Sequence, residues 1–180
     1  MGPTPSYTPS RPAADDYKAA ADVLIKVRPF ITRISSSGYI EEMAKGSLCA
    51  VMGYSGDINI ARQRAIDNKT GQDIQALIPA TGATLFFDTM AIPKDAKHPD
   101  NAHKWINFIM KPEVHASLTN SVFYANPNKE SMKFVAPALA NDKAVFPDAA
   151  GLASMIPPPV HDQATKKLVT RTFTNFKANR

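Results

Sequence analysis

The sequence predicts an α/β fold, in which short apolar strands alternate with helices. Residues 48–52 are five apolar residues in a row, and a Gly-Tyr-Ser-Gly-Asp turn at 53–57 follows them. An unbroken apolar run of this length is typical of a strand that is covered on both faces. Residues 84–90 form a second strand-like segment, and most other segments carry apolar residues at helical spacing. A strand, a glycine turn and a helix in succession would place side chains at the carboxyl edge of a parallel sheet.

The first half of the chain begins with a proline-rich extended leader at residues 1–14. A helix is predicted to start at Asp15 or Asp16 and to end before Pro29, because the residue before a proline is pushed out of the helical region. The remaining elements of this half are a strand at 30–34, a helix from Ser36 or Ser37 to a C-cap at Gly46, the strand at 48–54, a helix at 58–68 and a strand at 74–78.

The second half starts with the strand at 84–90, which ends before Pro93. A helix opened by Pro99 carries Trp105 in an apolar stripe that is expected to be buried, and a short helix follows from Pro112 to about Asn120. The remaining predicted elements are an extended piece at 123–126, short helices over 128–155, a rigid connector at 157–159 and a final helix at 162–177.

The composition is ordinary for a globular protein of 180 residues, with a net charge of +5. No apolar run approaches the roughly 18–20 residues that a membrane helix needs, and the chain shows no signal peptide. Part of the positive charge lies in the last helix, but no nucleic-acid motif or cluster of stacking aromatic residues accompanies it. We therefore predict no nucleic-acid partner.

Metal and cofactor sites are not predicted either. The four histidines are scattered, and no HExxH or paired-cysteine spacing occurs. No glycine-rich phosphate loop is present. Cys49 is the only cysteine and is expected to be a buried residue of the strand at 48–54.

An enzyme of the α/β hydrolase type is the alternative function, with Ser55 as its nucleophile. The run 53–57 nearly matches the G-x-S-x-G nucleophile elbow, and Asp88 and later histidines follow in the order Ser, Asp, His. The fifth position, however, is Asp57, where the sharp turn of the elbow requires glycine. The motif is short, so this match carries little weight.

Aromatic and acidic residues occur together at two places in the sequence. Tyr54 and Asp57 share the glycine turn, while Phe86 and Asp88 project to the same face of the strand at 84–90. Such pairs suit a cation better than a phosphate, since no lysine or arginine lies on the turn. The plainer interpretation is an aspartate at a helix N-terminus, which the helix dipole favours, and two core phenylalanines.

Several separate motifs follow one another along the chain: Arg28-Pro29, Ser36-Ser37-x-Tyr39-Ile40, Gly46-Ser47-Leu48-Cys49, Gly53-Tyr54-Ser55-Gly56-Asp57, Gly82-Ala83-x-x-Phe86-Phe87-Asp88 and Val122-Phe123-Tyr124-Ala125-Asn126. Together they resemble motifs of the bacterial periplasmic polyamine-binding proteins, the putrescine/spermidine receptors of ABC transporters. The resemblance runs from about Asp15 to the C-terminus and covers only the C-terminal half of such receptors.

The resemblance implies a type II periplasmic-binding-protein fold, present here in incomplete form, and a solute-binding function without catalysis. The implied ligand is putrescine, with spermidine as a second candidate, and the implied location is the periplasm. No cofactor or metal is implied. By position in the motifs, the implied ligand-binding residues are Tyr54, Asp57, Phe86, Asp88 and Tyr124.

The missing half leads to three further expectations. Residues 15–80 and 127–180 are predicted to belong to one lobe of the receptor, and 81–126 is predicted to be a hinge-crossing segment of the other lobe. The implied partners are the transporter permease and either a separate N-terminal half or a second copy joined by strand exchange. The chain alone is expected to bind its ligand weakly or to need such a partner.

Overall fold

The computed structural model describes residues 14–178, so the predicted leader lies outside the described residues except for Ala14. The regular structure in this range is helical. The α-helices are α1 (Ala14–Val27), α2 (Tyr39–Ala44), α3 (Ser55–Asp67), α4 (Pro99–Ile109), α5 (Pro112–Val122), α6 (Pro137–Ala140), α7 (Ala149–Ala153) and α8 (Gln163–Lys177), and 3₁₀ turns occupy Arg28–Phe30 and Lys129–Lys133.

The described chain divides into two compact units. One unit consists of the described residues up to Ser35 together with those from Ile156 onward, and the other spans Ser36–Met155. All five predicted ligand-binding residues lie in the second unit. The predicted assignment of 15–80 with 127–180 to one lobe and of 81–126 to the other concerns a complete receptor and stays a prediction.

In the first unit, α1 packs against α8. The Tyr17 hydroxyl lies 2.9 Å from Nε2 of His161, at the starts of the two helices. At their ends, the Arg28 guanidinium donates from Nε to the carbonyl of Phe176 at 3.1 Å and from Nη2 to that of Lys177 at 3.2 Å. The two helices therefore run parallel, and Arg28 satisfies backbone carbonyls at the C-terminus of α8.

In the second unit, α2 packs on α3 around one of two small cores. The predicted C-cap at Gly46 is confirmed: Gly46 has φ of +78° and donates its N–H to Met43, while Ser47 donates to Glu42. This pair of bonds is a Schellman motif, which favours glycine because the residue is left-handed. It ends α2 and directs the chain toward the turn at 53–57.

The other core of the second unit lies where α5 meets the segment around α6. Ala116, Val135, Leu139 and Val145 form its buried centre. Close by, the fully buried hydroxyls of Thr119 and Ser131 belong to a hydrogen-bonded network. This core supports the loop that follows α5.

The predicted strands are the main error. Residues 30–34, 48–54, 74–78 and 84–90 form no strand, and no segment within the described residues is paired as a strand over more than one residue. A strand exists only when a neighbouring strand accepts and donates its backbone hydrogen bonds, so its own apolar pattern is not sufficient. The α/β architecture is therefore not seen among the described residues, although the long helices were predicted correctly.

Two burial predictions are also wrong. Cys49 is exposed, because the segment around it is not covered as a sheet strand would be. Helix α4 forms where predicted, but Trp105 is 57% exposed, and no residue of α4 is fully buried. The apolar stripe of α4 thus has no complete cover in the described chain.

Candidate functional site

The candidate site is built around the N-terminus of α3. Tyr54 is the N-cap residue, with extended backbone, and Ser55 is the first residue of the helix. Asp57 lies in the first turn, where the positive end of the helix dipole stabilises a carboxylate. The sequence thus places an anionic group and an aromatic ring at one helix end.

Two tyrosine hydroxyls donate hydrogen bonds to the carboxylate of Asp57. Tyr39, the first residue of α2, donates to Oδ2, and Tyr124, in the loop after α5, donates to Oδ1 at 2.7 Å. Asp57 is half-buried, and the ring of Tyr39 is buried. Hydrogen bonds to an ionised acceptor are among the stronger ones in proteins, so this carboxylate is held at both oxygens.

The two glycines of the turn make room for these tyrosines. A Cβ atom on Gly53 would lie 2.8 Å from Cε2 of Tyr39, and one on Gly56 would lie 2.1 Å from Cδ2 of Tyr124. Both distances are below any ordinary contact, so a side chain at either position would displace a ring. The glycines serve the approach of two aromatic rings to Asp57.

Both tyrosines hold their protons firmly. Burial, followed by the hydrogen bond to Asp57, raises the pKa of Tyr39 to about 12. The same two causes raise the pKa of Tyr124 well above the usual range of a phenol. Both hydroxyls therefore stay neutral donors at physiological pH, and the carboxylate carries the negative charge of the cluster.

The loop that carries Tyr124 is fixed by buried polar groups. Phe123 ends α5 in the left-handed conformation, with φ of +60°. The Asn126 side chain donates to Oγ1 of Thr119 at 2.8 Å and accepts from the hydroxyl of Ser131 at 2.8 Å and the N–H of Asn128 at 2.9 Å. These bonds tie the loop both to α5 and to the 3₁₀ turn that begins at Lys129.

Two other predicted residues, Tyr54 and Phe86, are in contact with each other, and Tyr54 is the N-cap residue of the helix that carries Asp57. The rings of Tyr54 and Phe86 form an edge-to-face pair, with centroids 6.0 Å apart and planes at 73°. Both rings are more than half exposed, at 54% and 58%. Asp88 is also exposed, and its carboxylate forms no hydrogen bond or ion pair with any of residues 14–178. Rings and a carboxylate are thus available to an external cation.

The structure therefore groups four of the five predicted residues as two pairs, Asp57 with Tyr124 and Tyr54 with Phe86, and leaves Asp88 exposed. Sequence reasoning missed Tyr39, which lies in the predicted helix that ends at Gly46 and was not among the predicted ligand-binding residues. Two signals pointed to it: a buried tyrosine needs a partner for its hydroxyl, and a glycine beside a strand-like segment often marks a close approach.

The hydrolase alternative requires Ser55 to be paired with a histidine, and this pair is not seen in the described part of the chain. Ser55 is exposed on α3, and no histidine among residues 14–178 forms a hydrogen bond with its hydroxyl. No group of three or more His, Cys, Asp or Glu side chains in this range is arranged to hold a metal ion. None of the helices in the same range combines the length and apolar character needed to span a membrane.

A cleft of about 470 Å³ lies elsewhere in the second unit, between residues 76–80 and 142–154. Its charged side chains already have partners: Asp142 pairs with Arg62 at 2.7 Å and Lys143 with Asp148 at 2.8 Å. None of the predicted ligand-binding residues lines it. The cleft therefore offers no unpaired charge for recognition.

Comparison with known proteins gives consistent relatives. The chain is 36% identical over 174 residues to the putrescine-binding periplasmic protein SpuD of Pseudomonas aeruginosa and 36% identical over 173 residues to the putrescine-binding periplasmic protein PotF of Escherichia coli. These alignments cover 97% and 96% of this chain but 47% of each relative. The chain thus spans about half the length of the curated relatives it matches, and their names describe them as putrescine-binding periplasmic proteins.

Solved structures agree with these relatives. The spermidine/putrescine ABC transporter substrate-binding protein PotD of Streptococcus pneumoniae matches with a TM-score of 0.74 and 26% identity, over 97% of this chain and 50% of that one. A putative spermidine/putrescine ABC transporter protein of Listeria monocytogenes matches with a TM-score of 0.75 and 30% identity, over 91% and 48%. The family model of the bacterial extracellular solute-binding proteins matches residues 7–147. Since that match covers well over half of this chain, the chain belongs to the bacterial extracellular solute-binding protein family.

Proposed function

We propose that this chain carries part of the ligand site of a polyamine receptor that serves an ABC transporter, and that the ligand is a putrescine-like diamine. The observation that carries the proposal is the Asp57 carboxylate, which two neutral tyrosine hydroxyls hold at the end of α3. The names of the relatives, which include putrescine-binding and spermidine/putrescine-binding proteins, support the choice of ligand. The proposed ligand-binding residues are Tyr54, Asp57, Phe86, Asp88 and Tyr124.

A diamine needs acidic side chains because it carries a positive charge at each end. Removing water from an ammonium group is costly unless a carboxylate takes its place. Each oxygen of Asp57 accepts one tyrosine hydrogen bond and keeps a further lone pair for an ammonium donor. Asp88 has both oxygens available and would serve the second ammonium group.

The methylene chain between the charges favours aromatic surfaces. Tyr54 and Phe86 form an edge-to-face pair whose rings are more than half exposed. An ammonium group over such a face gains about 0.5–2 kcal/mol of cation–π attraction. A ring pair with carboxylates nearby in the sequence therefore suits a flexible hydrocarbon with charged ends.

The complete receptor would contain more than this chain describes. We propose that the complete receptor is a two-lobed, type II binding protein of the periplasm that delivers its ligand to a membrane permease. The segments that were predicted to be strands would pair there with the part of the fold that the relatives contain and this chain does not. Residues 81–126 would then cross the hinge. Without that half, the chain would bind weakly, pair with a separate N-terminal half, or associate with a second copy through strand exchange.

Titration with putrescine tests the proposal. The 180-residue chain is titrated by NMR up to high millimolar putrescine, and the tyrosine and phenylalanine ring signals are followed. Saturable binding is expected, and Asp88→Ala should weaken it about tenfold because one ammonium group loses its carboxylate. 1-Aminobutane, which lacks the second charge, should bind the wild type about as weakly as putrescine binds Asp88→Ala.

Asp95→Ala is the matched control, because Asp95 is another exposed aspartate of the same unit. It should leave putrescine binding unchanged. A wild type whose ring signals do not respond to putrescine, or a loss of affinity that is equal in Asp88→Ala and Asp95→Ala, would overturn the proposed site.

A further inference from the structure

Tyr39 lies outside the set of proposed ligand-binding residues, yet it contacts the carboxylate at its centre. Its ring is buried at the start of α2, in the core between α2 and α3. Its hydroxyl is the donor to Oδ2 of Asp57, while Oδ1 accepts from Tyr124. The carboxylate is therefore held by one hydroxyl from each side, and rotation about its Cβ–Cγ bond would break both bonds.

The proton of Tyr39 is committed to Asp57. The tyrosine has a single hydroxyl proton, and the hydroxyl donates it to Oδ2 of Asp57. Tyr124 is arranged in the same way, since its hydroxyl donates to Oδ1 of Asp57 at 2.7 Å. Each tyrosine thus donates to one carboxylate oxygen and leaves the remaining lone pairs of Asp57 to another donor.

Space for Tyr39 is built into the turn. Cε2 and the hydroxyl oxygen of Tyr39 would lie 2.8 and 3.0 Å from a Cβ atom on residue 53, so only glycine fits there. A residue that served the core alone would need no contact with the turn. The combination of Gly53, the buried ring and the bond to Oδ2 places the hydroxyl at Asp57.

We propose that Tyr39 is a positioning residue of the diamine site, which fixes the Asp57 carboxylate so that its remaining lone pairs meet an ammonium group. This inference rests on the proposed function. Tyr39 does not itself need to touch the ligand, because its only hydroxyl proton is already used. An anchored carboxylate loses less freedom on binding than a rotating one, and the ligand therefore binds more tightly.

Tyr39→Phe tests the proposal, because it removes one oxygen and keeps the ring. Putrescine affinity should fall about tenfold, as expected for the loss of a hydrogen bond to a charged group. The second measurement uses protein labelled with ¹³C at the aspartate carboxyl groups, in which Asp57→Asn identifies the Asp57 resonance. The chemical shift of that resonance should differ between wild type and Tyr39→Phe even without ligand. Tyr17→Phe is the control, since it removes a tyrosine hydroxyl that bonds to His161 outside this site; it should change neither readout.

The possible failures can be told apart. If wild-type chain does not bind putrescine, the proposed function falls and the role of Tyr39 falls with it. If wild type binds and Tyr39→Phe either keeps full affinity or loses affinity without moving the Asp57 resonance, Tyr39 is only a core residue and the polyamine site stands. Circular dichroism of each variant verifies that the helical content is retained.

Discussion

At the scale of single residues, the turn at 53–57 shows how one short motif serves two structural needs. Asp57 stands at a helix end that favours negative charge, and Gly53 and Gly56 let two tyrosine rings reach it. The same glycines made the turn resemble a nucleophile elbow in the sequence. The distances show that these glycines make room for neighbouring rings. The fifth position of the turn has no such requirement, so Asp57 can occupy it where a nucleophile elbow would need glycine.

The raised pKa of Tyr39 predicts a loss of stability at alkaline pH. An unfolded tyrosine titrates near 10, whereas folded Tyr39 keeps its proton until about 12. Between these values the folded state binds more protons than the unfolded one, so the free energy of unfolding falls as the pH rises. The contribution is fully present below pH 10, and Tyr124 acts in the same direction.

Urea unfolding at pH 9, 10 and 11 measures this effect. The free energy of unfolding of the wild type should decline more steeply with pH than that of Tyr39→Phe, which has no proton to lose at this position. The other titrating groups are common to both proteins, and Tyr124, whose raised pKa depends in part on Tyr39, changes the comparison in the same direction. Equal slopes would mean that the environment of Tyr39 does not favour its neutral form.

At the scale of elements, the sequence predicted helices well and strands poorly. Helix α1 was predicted from Asp15 and Asp16 at its start and Pro29 beyond its end, and all of these signals are local. The segment 48–54 was predicted as a strand from its apolar run, but pairing depends on a neighbour that is distant in sequence. Local hydrogen bonding can be read from the sequence, whereas pairing between distant segments cannot.

The candidate site shows the same division. Asp57 and Tyr54 are close because they share a turn. Phe86 was noted in the sequence as one of two aromatic and acidic pairs, and Tyr124 was named from the motifs that resemble those of polyamine receptors. Tyr39 could be found only from the packing of α2 on α3. The sequence analysis had placed Tyr39 within a predicted helix, which the structure confirms, but it gave no role to the hydroxyl.

The contact between Arg28 and the end of α8 predicts a specific stability effect. Arg28 donates to the carbonyls of Phe176 and Lys177 at the end of α8 and to Ile31 at 3.2 Å. Arg28→Ala should lower the free energy of unfolding by about 1–3 kcal/mol, because those carbonyls lose a charged donor at the negative end of the helix dipole. Thermal or urea unfolding measures the change.

Two further variants separate charge from geometry. Arg28→Lys keeps the charge but cannot reach three carbonyls with a planar fork, so it should recover only part of the loss. Lys26→Ala removes an exposed cation from the last turn of α1 and should change stability by less than about 0.5 kcal/mol. If Arg28→Ala and Lys26→Ala have equal effects, the capping role of Arg28 is wrong.

At the scale of the whole molecule, the second unit presents large apolar side chains to solvent. On α4, Trp105 is 57% and Phe108 is 46% exposed, and their rings pair at 5.9 Å. Phe87 is 69% exposed in the segment that was predicted to be a strand. Apolar surface of this kind is normally covered by another part of a fold or by a partner, since each Å² removed from water contributes about 25 cal/mol.

We therefore expect the chain on its own to self-associate, with α4 as part of the contact. Sedimentation velocity over a range of protein concentrations should show an average mass that rises with concentration. The double variant Trp105→Lys/Phe108→Lys should shift this rise to higher concentration, because it replaces two exposed rings with charged groups. His103→Lys, which adds charge at an exposed polar position of the same helix, is the control and should leave the association unchanged. A wild type that stays monomeric at every concentration would show that the exposed rings of α4 do not drive association. A second copy of the chain would then no longer be the expected partner, and a separate N-terminal half would remain.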